Sequence, residues 1–470
     1  MSSLRVVAGV GHVIVPCPPA RAHTTSYAPG DGPLRVTRPD NHRVPRLLPD
    51  LTPLRESPEY RRLYAGFTLS NVGSQMAVVA IGLQVYDLTS STGAVGLVGL
   101  AALVPLVVMG LYGGSLSDHH DRRLVGLAAN TVSWLTSLGA AVQAWLGNTH
   151  VWVLLLIVGA WSGAAGVSGP ARSSIYPRLL PVEQLPAANA LGVVAMNTAL
   201  TAGPLLAGLL IGWHGFTAAY VTDAVITTAA LYGLIRLHPV PPDPDAHGEG
   251  AARRAGLRSV LDGFAFLRTA PNVRMTFVAD IAAMVLAQPR VLFPAAGAVI
   301  LGGGATTVGM LYAAAAIGGI LAMGASGGLG RVRRQGFAIL VSVAGWGVGI
   351  AGLGVALLAA GGLMAREHAL WAALGAMAFA GAADSVSAVF RTTILQAAAP
   401  DRMRGRLQGV FIVVVAGGPR LGELVGGGIA EHIGEGAMAV AGGIACIAAV
   451  GLFGLGQRGF VRYDARHPVP

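Results

Sequence analysis

The stretch that decides the fold reads Gly113-Gly114-Ser115-Leu116-Ser117-Asp118-His119-His120-Asp121-Arg122-Arg123. It predicts a tight, charged turn between two apolar flanks, residues 93–112 and 124–146. At ~1.5 Å per residue, each flank is long enough to cross a ~30 Å hydrocarbon core as a helix. Because a turn with two aspartates and two arginines cannot lie in lipid, it marks one face of a membrane.

The composition is that of a polytopic membrane protein. Charged residues make up 11% of the chain and hydrophobic residues 53%, against roughly 25% and 45–50% in soluble domains. Glycine supplies 67 of the 470 residues, and small residues allow helices to approach closely in lipid. The net charge of +10 is carried by arginine alone. We assign it to membrane topology and expect no nucleic-acid partner. Two cysteines, Cys17 and Cys446, predict no disulfide framework.

The apolar segments predict an all-α membrane protein with about twelve transmembrane helices, arranged as two six-helix bundles. The first six spans are predicted near 62–87, 93–114, 123–146, 151–171, 188–213 and 215–236. The last six are predicted near 273–300, 304–327, 335–360, 367–395, 407–432 and 436–457. We therefore expect a disordered cytoplasmic tail (1–57), an N-terminal bundle (58–238), a cytoplasmic linker with an amphipathic helix (239–272), a C-terminal bundle (273–457) and a cytoplasmic tail (458–470).

Arginines are distributed unequally between the two sets of loops. One set, which defines the arginine-rich face, carries Arg122, Arg123, Arg172, Arg178, Arg253, Arg254, Arg258, Arg331, Arg333, Arg334, Arg402, Arg404, Arg406, Arg458 and Arg462. The opposite loops, which define the arginine-poor face, carry only Arg366. The positive-inside rule then predicts that the arginine-rich face and both termini are cytoplasmic, in a plasma-membrane protein.

An internal repeat supports the division into halves. Arg172-Ser173-Ser174-Ile175 recurs 219 residues later as Arg391-Thr392-Thr393-Ile394. The same offset relates Gly203 to Gly422 and Gly208 to Gly427. Parallel six-helix repeats are a known transporter architecture, in which the substrate site lies between the halves near the midplane.

The opening loop resembles the loop between helices two and three of major facilitator superfamily transporters. Its glycines, Asp118 and the basic pair carry the match, whereas Asp121 stands where the family often has glycine. The resemblance implies that the aspartate caps a neighbouring helix end and that the basic pair helps to latch one state of the transport cycle. A loop that only carries topogenic arginines is the alternative. The predicted cytoplasmic gate comprises Asp118, Arg122, Arg123, Arg172 and Arg391.

Several stretches resemble one branch of that superfamily, the enterobactin-exporter-like proteins. They are residues 84–89, 177–190, 289–294, 381–396 and 418–423, within a resemblance that covers roughly residues 58–460. The helix-five sequence with Gly203, Pro204 and Gly208 is also similar to the antiporter motif of drug:proton exchangers. A proline kink with small-residue packing explains that sequence equally well. The resemblance implies export rather than import.

Few ionisable residues lie within the predicted spans, and each is costly in lipid unless it faces a partner or water. Neither Asp280 in helix seven nor Asp384 in helix ten has an obvious partner in its own helix, so we predict that both act in proton coupling. Asp280 and Arg290 are ten residues apart, ~15 Å along a helix, and cannot pair within it. The substrate and proton-coupling candidates are Asp280, Asp384, Arg290, Arg420, Glu423 and Asp223.

Other interpretations remain open for several of these residues. Arg420 and Glu423 are three positions apart and can form a structural ion pair. Asp223 can simply bind polar neighbours. Asn71 and Gln75, one turn apart in helix one, are predicted to line the cavity, and packing between helices is an equal alternative. Pro289 and Pro294 bracket Arg290 and predict a bend in helix seven.

The function that this pattern predicts is secondary active transport, and specifically proton-coupled export of a small amphipathic molecule such as a siderophore, antibiotic or drug. A nutrient importer of the same fold is the alternative, and a membrane sensor is a third. No Walker loop, HExxH motif or nucleophile elbow indicates an enzyme. The expected partners are a small-molecule substrate, protons and the lipid bilayer. We expect a monomer with no cofactor and no metal.

Overall fold

The computed structural model describes residues 50–241, 257–324, 329, 332–398 and 401–466. Within these ranges it describes the backbone alone for residues 111, 114, 115, 117–119, 257–261, 401–406, 408, 409, 411–413 and 416. Within these ranges the regular structure is helical, apart from two isolated β-bridges. The prediction of an all-α membrane protein is confirmed. The predicted tail lies largely outside the described residues. Its final part is not irregular as expected, since Thr52–Glu56 forms a short helix.

The N-terminal half contains six spans. Helix α1 covers Thr52–Glu56, α2 Pro58–Thr89, α3 Thr92–His119, α4 Arg122–Trp145, α5 Val151–Leu179 and α6 Leu185–Ile235. The last helix holds two spans, because Gly215 adopts φ 76° and ψ −178° and interrupts it at the arginine-poor face. A positive φ of this kind is readily reached only by glycine. The predicted boundary near residue 214 is thus confirmed.

The C-terminal half follows a linker whose residues 242–256 lie outside the described part. Helix α7 covers Leu257–Thr269, α8 Pro271–Leu286, α9 Phe293–Ala295, α10 Gly304–Gly324, α11 Gln335–Ala359, α12 Arg366–Ala398, α13 Asp401–Ile433, α14 Glu435–Gly456 and α15 Arg458–Val461. Helix α7 occupies the stretch that the sequence predicts as amphipathic. Three short elements connect α8 to α10: a 3₁₀ turn at Arg290–Leu292, then α9, then a π-helical turn at Ala296–Ile300.

The helix count agrees with twelve spans. Among the described residues, ten helical segments are long and apolar enough to cross a membrane. One of them holds both parts of α6, and α13, which carries more polar residues, supplies the twelfth span. The opening stretch needs a correction. It was predicted as a turn from Gly113 onward, but α3 continues to His119 and the turn is confined to the next two residues.

Two seams join the halves, and both lie toward the arginine-poor face. In the first, α3 packs against α13: a Cβ added at Gly96 would lie 2.7 Å from the Glu423 carbonyl oxygen, and one at Gly427 would lie 2.8 Å from the Thr92 carbonyl oxygen. In the second, α6 packs against α10, where a Cβ at Gly208 would lie 2.7 Å from the carbonyl oxygen of Ala305. Glycine is therefore what allows these backbones to meet.

Two glutamates of the C-terminal half complete the first seam by accepting hydrogen bonds from the first turn of α3. The Oε2 atom of Glu431 accepts hydrogen bonds from Ser91 Oγ at 2.8 Å and from the Gly93 backbone N–H at 2.9 Å. The Oε1 atom of Glu435 accepts a hydrogen bond from Thr92 Oγ1 at 2.6 Å. Carboxylates are favoured at helix N-termini, here supplied from the opposite half of the molecule.

Candidate functional site

A cavity of about 460 Å³ lies between the halves, on the arginine-rich side of the two seams. Its wall combines charged groups with a larger apolar surface, as small-molecule sites do. The charged residues that line it are Asp280, Arg290, Asp384 and Arg391. Its polar and apolar wall includes Gln75, Asn197, Gln288, Met284, Phe293, Tyr312, Trp346 and Met377.

Arg391 joins the two aspartates that were predicted to act in proton coupling. Its Nη1 atom donates to Asp280 Oδ1 on α8, and its Nη2 atom donates to Asp384 Oδ1 on its own helix at 3.2 Å. This corrects the expectation for Asp384, which has a partner in its own helix; the partner of Asp280 lies on another helix, so for Asp280 the expectation is met. It also places Arg391 in the cavity, where it bonds to the acidic residues, and its role in a gate stays a prediction.

Helix seven is broken where two prolines were predicted to bend it. Helix α8 ends at Leu286, and Pro289 has no N–H to continue the hydrogen-bonding pattern. The indole Nε1 of Trp346 on α11 donates to the Ala287 carbonyl oxygen at 3.1 Å, which satisfies an acceptor at the break. The break exposes Arg290, whose side chain faces the cavity without an ion pair inside the described part of the chain.

Arg420 and Glu423 form the predicted ion pair, with Arg420 Nη1 3.0 Å from Glu423 Oε2. The pair lies in the first seam and does not line the cavity, because a Cβ at Gly99 would lie 2.8 Å from Glu423 Oε2 and 2.9 Å from the Arg420 carbonyl oxygen. The two charges cancel where the halves touch. The structure therefore favours the structural interpretation of this pair.

Asp223 is buried inside the N-terminal half, away from the cavity. Only 3% of the residue is exposed. Its carboxylate accepts hydrogen bonds from Ser137 Oγ at 2.6 Å and from Thr227 Oγ1 at 3.2 Å. These contacts join α6 to α4 and match the alternative in which the aspartate binds polar neighbours.

Of the two polar residues in helix one, Gln75 lines the cavity and Asn71 is not among the lining residues. The antiporter-like sequence of α6 lies beside them. A Cβ at Gly203 would lie 2.6 Å from the Gln75 Cβ, whereas Gly208 contacts α10 across the second seam. Pro204 lines the cavity between these two glycines. The motif thus connects helix one, the cavity wall and the opposite half.

The charged loop at the arginine-rich face binds the end of α6. The guanidinium of Arg123 donates to the carbonyl oxygens of Leu234 at 3.0 Å and Ile235 at 2.8 Å, in the last turn of the helix, where carbonyl groups lack the usual partner four residues later. Asp121 Oδ1 accepts from the Val240 N–H at 3.1 Å. The side chain of Asp118 lies outside the described part, so its predicted capping role stays a prediction.

The two other gate candidates in this half make contacts within it. Arg172 lies over the Phe67 ring, with 5.2 Å between its Cζ and the ring centroid. Arg122 donates to the Ser174 carbonyl oxygen at 3.5 Å. Their role in a gate therefore stays a prediction.

Several lining residues escaped the sequence analysis because they are apolar or aromatic. Phe293 and Tyr312 stack edge to face, with ring centroids 4.7 Å apart. Trp346 contributes both to the wall and to the break in helix seven. A signal existed only for Phe293, which precedes Pro294 within the bracketed segment; spacing alone does not separate the others from ordinary packing residues.

The chain is similar in sequence to enterobactin exporters. It is 28% identical over 385 residues to the enterobactin exporter EntS of Shigella boydii serotype 18, a match that covers 81% of this chain and 87% of the relative. It is 29% identical over 383 residues to the enterobactin exporter EntS of Escherichia coli O1:K1 / APEC, with the same coverage.

Solved transporter structures share the fold. The nucleoside transporter NupG matches with a TM-score of 0.65 at 15% identity, over 86% of this chain and 99% of that one. The D-xylose–proton symporter matches with a TM-score of 0.64 at 14% identity, over 87% and 98%. At such identities the likeness concerns the fold alone, and it confirms the two bundles of six helices.

Fold and cavity together define a secondary transporter of the major facilitator superfamily. Within that class, residues 49–458 match the model of the transmembrane secretion effector family, and the chain belongs to this family. Its members are transporters, so the prediction that the protein is not an enzyme is confirmed. It is a multi-pass membrane protein whose substrate is a small molecule.

Proposed function

We propose that this transporter exports a small amphipathic molecule, such as a siderophore, antibiotic or drug, from the cytoplasm in exchange for protons. The observation that carries the proposal is the cavity between the halves, where two carboxylates and two arginines share a wall with aromatic and methionine side chains. The similarity to enterobactin exporters supports the direction.

The proposal assigns the arginine-rich face to the cytoplasm, as the positive-inside rule predicts. In that orientation both termini are cytoplasmic, and the two closed seams seal the extracellular side of the cavity. The conformation described above then corresponds to the part of the cycle in which substrate reaches the cavity from the cytoplasm. The protein would act as a monomer in the plasma membrane, because one chain contains both halves.

Alternating access couples the two fluxes through the carboxylates. When the cavity faces the outside, a carboxylate binds a proton and the substrate leaves. When it faces the cytoplasm, the proton leaves and substrate binds again. A ligand can shift this equilibrium only as far as it binds the two states differently. The hydrogen bonds that join Arg391 to both aspartates are contacts that protonation would change.

The test compares accumulation of two probes, the cationic dye ethidium and a catecholate siderophore, in cells with and without the protein. Export predicts lower accumulation of at least one probe, abolished by a protonophore. Asp384→Asn should remove the protonophore-sensitive part. Glu367→Gln, which alters an exposed acid outside the cavity, should not. Protein-dependent gain of a probe would instead identify an importer, and an unaltered Asp384→Asn variant would remove Asp384 from the mechanism.

A further inference from the structure

The cavity contains three charged groups that form one hydrogen-bonded unit, which we call the triad: Asp280, Arg391 and Asp384. One guanidinium serves two carboxylates, so the triad carries one negative charge in excess when all three groups are ionised. The side chains differ in access. Those of Asp280 and Arg391 are 7% and 11% exposed, whereas Asp384 is 37% exposed. Any exchange with water in the cavity therefore takes place at Asp384.

The surrounding charges offset this excess only in part. On α13, Arg420 and Glu423 neutralise each other. Tyr312 on α10 lines the cavity but is neutral as a phenol. Arg290, on the 3₁₀ turn, faces the same cavity and acts on Asp384 through its charge. It is exposed and makes no ion pair in the described part of the chain, so water in the cavity screens this interaction. The lining residues that α11 supplies have no charge. Among the described residues, Arg391 is thus the cation that bonds directly to both carboxylates, whereas Arg290 acts on Asp384 only across the cavity.

One bound proton would bring the triad to neutrality, and a second would leave it positive. Because both carboxylates bond to the same guanidinium, they titrate as a unit, and the proton belongs to the pair rather than to either residue. Without the guanidinium, two carboxylates would face each other at close range, where like charges cannot both persist. The cation at position 391 therefore determines how many protons the two acids hold.

We propose that the triad is a single-proton site, in which Arg391 is the positioning residue that limits the two aspartates to one exchangeable proton per transport cycle. The inference rests on the proposed proton coupling and adds its stoichiometry. Protonation of Asp384 removes the negative charge that strengthens one Arg391 hydrogen bond, so the guanidinium is then held mainly by Asp280. The link between α8 and the cavity-facing part of α12 thus changes with protonation.

The test counts protons directly on the purified, detergent-solubilised protein. Difference titration between about pH 5 and about pH 9 compares each variant with the wild type, so that groups common to both cancel. Infrared difference spectra, through the carboxylic acid C=O stretch, identify the protonated side chain. We expect Asp280→Asn and Asp384→Asn each to bind one proton fewer than the wild type.

The arginine variants provide the decisive comparison. Arg391→Gln should bind one proton more than the wild type, and the double variant R391Q/D384N should return to the wild-type number, because its net charge is the same. Arg391→Lys keeps the charge and should also match the wild type, which covers the case in which Arg391→Gln does not fold. A purely structural role for Arg391 would not be rescued by removing a further hydrogen-bonding group.

Two results would overturn the inference: equal proton uptake in Arg391→Gln and the wild type, or single aspartate variants that keep the wild-type number. The titration needs no transported substrate. A protein that exports neither ethidium nor the siderophore can still show the single-proton site, and an exporter can still lack it. Failure of the proposed function and failure of the single-proton site are therefore distinguishable.

Discussion

Replacing Glu431 by glutamine should shift the transporter toward conformations that are open at the arginine-poor face. Glu431 belongs to the C-terminal half, yet its carboxylate caps the first turn of α3 in the N-terminal half through Ser91 and Gly93. These hydrogen bonds exist only while the first seam is closed. Their loss therefore weakens the closed state and leaves the open state unaffected.

The expected magnitude follows from the value of a helix cap. Removing a capping side chain costs about 0.5–2 kcal/mol. The side chain of Glu431 is exposed to solvent, and glutamine retains an acceptor oxygen, so we expect the lower part of that range, about 0.5–1 kcal/mol. Since 1.4 kcal/mol is tenfold in an equilibrium constant, the ratio of open to closed protein should rise about two- to fivefold.

Two spin labels at the arginine-poor face, one on each half of the protein, can measure this ratio. His150, in the loop before α5, and Leu363, which is 95% exposed before α12, belong to opposite halves and lie on that face. Each residue is replaced by cysteine, in a background without Cys17 and Cys446, and a spin label is attached to each cysteine. Pulsed electron paramagnetic resonance then gives the distribution of distances between the two labels. Glu431→Gln should enlarge the long-distance population, and adding Glu435→Gln should enlarge it further.

The matched control is Glu367→Gln, which removes the same charge from the same face without a contact between the halves in the described structure. It should leave the distance distribution unchanged. An equal shift in the control would assign the effect to surface charge. An unchanged distance distribution in Glu431→Gln would show that the hydrogen bonds of Glu431 to Ser91 and Gly93 do not stabilise the closed seam.

Two further variants test the packing. Gly381→Ala should lower the melting temperature of the purified protein, because the added Cβ would lie 1.9 Å from the Ala315 carbonyl oxygen and overpacking costs about 1–3 kcal/mol. The control is Gly375→Ala on the same helix, where no heavy atom lies within 4 Å of an added Cβ. It should be neutral or stabilising by up to ~1 kcal/mol. Asp223→Asn should keep protonophore-sensitive export, whereas Asp223→Ala should destabilise the protein by about 1–3 kcal/mol, because it removes the buried carboxylate that accepts hydrogen bonds from the Ser137 and Thr227 hydroxyls. Loss of coupling in Asp223→Asn would return Asp223 to the coupling site.

The helical architecture was predictable because hydropathy and charge act over whole segments. A span of about twenty apolar residues has few alternatives in a bilayer, and the arginines mark one set of loops. Interruptions that depend on single residues were also visible, as at Gly215 and at the prolines beside Arg290. The end of α3 was misplaced because the polar stretch beyond Gly113 contains no proline, and the helix continues through it to His119.

The composition of the site was predictable, but its pairing was not. Asp384 and Arg391 are seven residues apart, two turns along α12, beyond the three- and four-residue spacings of ordinary helical pairs. A side chain in a helix leans toward the N-terminus, so the long arginine side chain at the later position reaches back toward the aspartate. The second partner, Asp280, comes from another span, and only tertiary packing brings it there.

The glycines at the seams determine which chemical groups become exposed to water when the halves separate. At Gly96, Gly208 and Gly427 the touching surfaces are carbonyl oxygens and α-carbons of the backbone. Separating them gives up weak dispersion and Cα–H···O contacts, and the uncovered carbonyl groups can be hydrated at once. Interlocked leucines would instead carry a wetting penalty of about 25 cal/mol per Å² of apolar surface. The glycine contacts thus align the halves but stabilise the closed state only weakly. The equilibrium between closed and open states therefore depends on Glu431 and Glu435.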